Sequence, residues 1–134
     1  MWKEFFSSIG LDSVKVDTVI HDKHAEPRDT IKGEVRIQGG LADEIIDKII
    51  VLLYLQYEEV HEDSDFSWHD KHIEEVTIDV KRNIKSGEQD QVPFTIMIPQ
   101  NAEKTDEKHK WYLKTTVVIP AAVDPTDEDE IMIV

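Results

Sequence analysis

Gln91-Val92-Pro93-Phe94-Thr95-Ile96-Met97-Ile98-Pro99 and, after a polar gap, Trp111-Tyr112-Leu113-Lys114-Thr115-Thr116-Val117-Val118-Ile119 decide the fold of this chain. In the first stretch Val92, Phe94, Ile96 and Ile98 fall on one face at the two-residue period of a strand, with a proline at each end. The second is rich in β-branched and aromatic residues, which suit a pleated surface. Together they read as two consecutive strands of a β-sandwich. Upstream, Val14, Val16, Thr18 and Ile20 alternate with Lys15, Asp17 and Val19. Ile31, Gly33, Val35 and Ile37 alternate with Lys32, Glu34 and Arg36, and Gly39-Gly40 marks a turn. Residues 68–80 give another strand, with Val76, Ile78 and Val80 inward and Glu75, Thr77 and Asp79 outward, ended by a turn at Ser86-Gly87.

The segment from Ile45 to Tyr57 is ambiguous by period, because its isoleucines and leucines also satisfy a helical stripe. Its isoleucine, valine and tyrosine content favours a strand covered on both faces. Residues 21–29, 58–65 and 101–110 read as polar or charged connections. Residues 120–130 read as an acidic turn begun at Pro120 and Asp124-Pro125, and Ile131–Val134 as a final strand. About seven short strands with regular turn signals predict an all-β, two-sheet antiparallel sandwich of immunoglobulin-like type. Trp2, Phe5, Phe6 and Ile9 follow a helical stripe that Gly10 stops, which predicts a short amphipathic N-terminal helix.

A chain of 134 residues is read as a single domain, long enough for a hydrophobic core without staples. It has no cysteine, which removes disulfides, thiolate metal sites and cysteine nucleophiles. No apolar run reaches the roughly 18–20 residues of a membrane span, and the first residues lack a signal-peptide layout. The expected location is the cytoplasm. The net charge is −14, from 29 acidic and 15 basic residues. A field of that sign repels phosphate backbones, so the expected partner is a protein with a basic surface, not nucleic acid.

The order and spacing of several short segments resemble a known family. Val92–Pro99 followed by Lys110–Thr115 resembles the arrestin-like fold. Met1–Gly10, Lys15–Val19, Ile31–Gly40, Ile46–Ile49 and Ala122–Asp129 resemble the SpoOM-type sporulation-control proteins, over essentially the whole chain. The resemblance implies a non-enzymatic cytoplasmic regulator of sporulation or a related programme, acting as an interaction scaffold. It also implies a further C-terminal segment beyond the Ala122–Asp129 stretch in typical members. The histidine- and acid-rich stretch 58–75 has no counterpart in that resemblance.

Motifs for chemistry are sparse. No Gly-x-Ser-x-Gly elbow, glycine-rich phosphate loop or His-Glu-x-x-His pair occurs, and no cofactor is expected. His61, His69 and His72 are weak metal candidates, since His69 and His72 fall on opposite faces of a strand. The alternative function they offer is a metal- or pH-responsive hairpin over residues 61–72. Asp124, Asp127 and Asp129 lack the glycine and bidentate glutamate of a calcium loop. They are instead candidate interaction residues, together with Trp2, Phe5 and Phe6. Binding through a sandwich edge would use Val14–Ile20 or the last strand, and Ile131–Val134 could pair with a second copy of the chain.

Overall fold

The structure, a computed structural model, describes residues 13–60 and 66–134, with the backbone alone for Val60 and Phe66. The expected N-terminal helix with Trp2, Phe5 and Phe6, and His61, lie outside the described residues. Eight strands follow in chain order: β1 Lys15–Ile20, β2 His24–Ala25, β3 Thr30–Gln38, β4 Glu44–Val60, β5 Phe66–Ile84, β6 Gln89–Met97, β7 His109–Val118 and β8 Thr126–Ile133. They form a three-stranded sheet β1-β3-β6 and a five-stranded sheet β2-β8-β7-β4-β5. All pairings are antiparallel except β2 with β8. No helix among the described residues is long and apolar enough to cross a membrane.

The period-two pattern becomes the core. Val16 and Ile20 of β1, Ile31, Val35 and Ile37 of β3, and Phe94 and Ile96 of β6 face Ile49, Val51, Leu53 and Leu55 of β4. Trp111, Leu113 and Val117 of β7 and Ile131 and Ile133 of β8 complete it. The Trp111 indole N–H donates to the Glu103 carbonyl at 2.8 Å, so its one polar atom is satisfied inside. Gly33 pairs with Phe94 across β3 and β6. A Cβ at Gly33 would stand 2.3 Å from the Val19 carbonyl and 2.8 Å from the Phe94 ring. The glycine is there because the ring and the β1 backbone both close over it.

The segment ambiguous by period, 45–57, is a strand, the central one of β7-β4-β5. It is also longer than its apolar pattern, because Gln56–Glu59 continue the pairing to β5 with polar side chains. Pro93 lies inside β6 rather than closing it. It is tolerated because β6 is an edge strand, where a missing N–H costs no ladder bond. Residues 21–29 contain β2, a two-residue pairing too short to leave a periodic signal.

Two expectations about the C-terminal end change. β8 begins at Thr126, so Asp127–Glu130 are strand residues and the turn is confined to 120–125. Their strand is held by cross-strand matches to β7, with Lys114 opposite Glu128 and Thr115 opposite Asp127. Nor is the last strand an edge: β8 lies between β7 and β2, and the Val134 N–H donates to the Ala25 carbonyl at 2.8 Å. Ile131–Val134 therefore already has strand neighbours within its own chain.

Candidate functional site

Period two sends one set of side chains out of the five-stranded sheet, and the register decides which of them meet. Tyr54 of β4 stands opposite Tyr112 of β7 and His72 of β5. Tyr112 stands opposite Glu130 of β8. The two phenol rings stack at 5.2 Å between centroids, with 23° between planes. The Tyr54 hydroxyl donates a hydrogen bond to Glu128 Oε1. Leu52, Tyr54, Asp70, His72, Lys114 and Glu128 line a shallow depression of about 250 Å³ on this face. Trp68 of β5, exposed at 44 %, lies on the same strand face as Asp70 and His72.

The electrostatics follow from those neighbours. Burial and then Glu128 push the Tyr54 phenol well above its ordinary range. Burial, Glu130, Glu128 and Asp70 push Tyr112 upward too. Both phenols stay neutral within a ring of carboxylates, Tyr54 buried and Tyr112 half-buried on top of it. Such a surface suits cationic side chains, which gain from a ring face and from charge-assisted hydrogen bonds to carboxylates.

A second cluster sits where β8 faces β1. Asp127 accepts a hydrogen bond from the Thr18 N–H at 2.7 Å, and the Thr18 hydroxyl meets that of Thr115 at 2.8 Å in the interior. The carboxylate thus caps the free edge of β1. Asp129 lies beside it, 3.7 Å from the half-exposed Lys23 ammonium. Its carboxyl is pushed up to about 7 by burial, by the charge of Asp127 and by a hydrogen bond with it, against the opposing pull of Lys23. Asp17 is raised as well, chiefly by burial and then by Asp127. Asp129 is thus the carboxyl of this cluster that holds a proton most readily.

The other candidates read from sequence are dispersed. Asp124 accepts the Ile119 N–H at 2.8 Å and shapes the turn before β8. His69 contacts Glu59 Oε2 at 3.0 Å and lies against Tyr57, with ring centroids 5.5 Å apart. His72 stands opposite Tyr54, on the other face from His69. No group of three histidine or carboxylate side chains comes together as a metal site among the described residues. Sequence reasoning passed over Tyr54, Tyr112 and Glu128, which come from three strands. Alternation alone could have placed each on the outer face; only the register brings them together.

The chain matches the family model described as "SpoOM protein" over residues 2–134. It is 28% identical over 134 residues to the sporulation-control protein spo0M of Bacillus subtilis (strain 168), covering 98% of this chain and 51% of that protein. The crystal structure of Spo0M, sporulation control protein, from Bacillus subtilis matches with a TM-score of 0.84 at 27% identity, over 93% of this chain and 50% of that one. The chain spans about half the length of these relatives. The whole-chain match, on a two-sheet sandwich superposing on that structure, makes this protein a member of the SpoOM family of sporulation-control proteins.

Proposed function

We propose that this chain is a non-enzymatic regulatory scaffold of the sporulation-control type. It works in the cytoplasm and binds basic protein partners through the outer face of its five-stranded sheet. The observation that carries this reading is the stacked Tyr54–Tyr112 pair set among Asp70, Glu128 and Glu130. Aromatic groups ringed by charge are the composition of a binding surface. The net charge of −14 supports steering of a cationic partner. A cysteine-free chain is compatible with a reducing compartment.

The test is affinity capture from native lysate with the wild type and with Asp70→Lys/Glu130→Lys as paired baits. A partner retained by the wild type is expected to be lost by the variant, and to be released as salt rises from about 50 to about 500 mM. Equal retention by both baits at both salts would overturn the proposal. A pH-responsive role finds support in Asp129, whose carboxyl is pushed up to about 7.

A further inference from the structure

β5 has β4 on one side and no strand on the other among the described residues. At 19 residues it is the longest strand, and its middle is an open edge. Two irregularities bound that middle. Ile73 is an extra residue where Leu53 pairs with Glu74 and Tyr54 with His72. Val80 and Lys81 both stand opposite Asp47, and Lys81 has φ 45°. Between them the Glu75 N–H donates to the Glu74 carboxylate at 3.2 Å, so it is turned away from β4. Alternation then turns the N–H groups of Thr77 and Asp79 outward as well. Long open edges are templates for a further strand.

We propose that this edge pairs antiparallel with β5 of a second copy, about a two-fold axis at Ile78. That register sets Thr77 opposite Asp79, the outward-turned residues an antiparallel ladder needs at its hydrogen-bonded positions. It sets Val76 opposite Val80, side chains only half-buried under the narrower three-stranded sheet. It sets Glu75 opposite Lys81 and Glu74 opposite Arg82, and each match occurs twice by symmetry. Neighbouring registers are worse. An axis at Thr77 opposes Glu75 to Asp79, one at Asp79 opposes that carboxylate to itself, and one at Val76 sets Glu75 opposite Thr77 and Glu74 opposite Ile78, with no charge match at either. In the single chain Lys81 reaches Asp47 at 3.2 Å, an exposed pair that exchanges at little cost, and Arg82 holds Asp90. The charges along β5 thus oppose off-register pairing and favour one symmetric dimer.

This inference does not depend on what the outer face binds. A ladder of this length makes a small interface, so association is concentration-dependent. The test is sedimentation velocity on the 134-residue chain from about 1 to about 300 µM, a range set by weak-dimer affinities. The average mass is expected to climb towards twice the 15.5 kDa of the chain. Thr77→Pro removes an outward N–H without touching the β4 ladder and is expected to stay monomeric, with a melt confirming its fold. Glu75→Lys is expected to raise the dissociation constant about ten-fold, through two like-charge contacts. Glu75→Lys with Lys81→Glu is expected to restore it. A wild type that is monomeric throughout, a folded Thr77→Pro that still dimerises, or a double exchange that restores nothing would each overturn the proposal.

Discussion

Asp129→Asn should make this protein more stable at pH 8 and leave it unchanged near pH 4. The folded-state carboxyl is raised to about 7, whereas an unfolded aspartate titrates near 3.8. Between those values the folded chain binds more protons than the unfolded one, so stability falls as pH rises through the window. It is flat below the lower value and above the upper one. The full shift of about three units corresponds to about 4 kcal/mol at 1.36 kcal/mol per unit. Asp129 is partly solvated and Lys23 is half-exposed, so screening reduces the net effect to about 1–2 kcal/mol. Asparagine keeps the shape and can donate to Asp127 without a charge. Melts followed by circular dichroism should therefore rise by about 3–8 °C at pH 8, with the variant showing a flatter pH profile. A variant that melts below the wild type at pH 8 would refute the reasoning. It would mean that the Lys23–Asp129 ion pair outweighs the burial and repulsion of the charge.

Further outcomes follow from the interior. Gly33→Ala should destabilise by about 2 kcal/mol or more, since the new methyl overlaps the Val19 carbonyl and the Phe94 ring; a denaturant melt measures it, and an unchanged midpoint would contradict the packing. Thr18→Val should cost about 1–3 kcal/mol by stranding the buried Thr115 hydroxyl. Thr18→Val/Thr115→Val should recover part of that loss in the same assay, and additive losses would argue against the bond. The loss of binding by Asp70→Lys/Glu130→Lys and the monomeric state of Thr77→Pro complete the set.

The strands with regular alternation were legible: β1, β3, β6 and β7 carry mostly apolar residues at alternate positions because one face of each is buried. β4 was legible only through residue type, since its apolar residues satisfy two periods at once. β8 was half-legible. Ile131 and Ile133 announce a strand, but Asp127 and Asp129 also face inward and read as a turn until their partners Thr18, Thr115 and Lys23 are placed. β2 is held by two residues of tertiary pairing and leaves no local trace. The outer-face site was the least legible part. Tyr54, Tyr112 and Glu128 are 58 and 16 residues apart in sequence, and only the β4-β7-β8 register joins them.

The proposed binding face is tested most directly by hydrogen exchange on the chain with and without a captured, purified partner. The account predicts protection over residues 50–56, 110–116 and 126–130, the three strands that build the Tyr54–Tyr112–Glu128 face. Protection confined to β1 or β6, with that face exchanging as in the free protein, would contradict it.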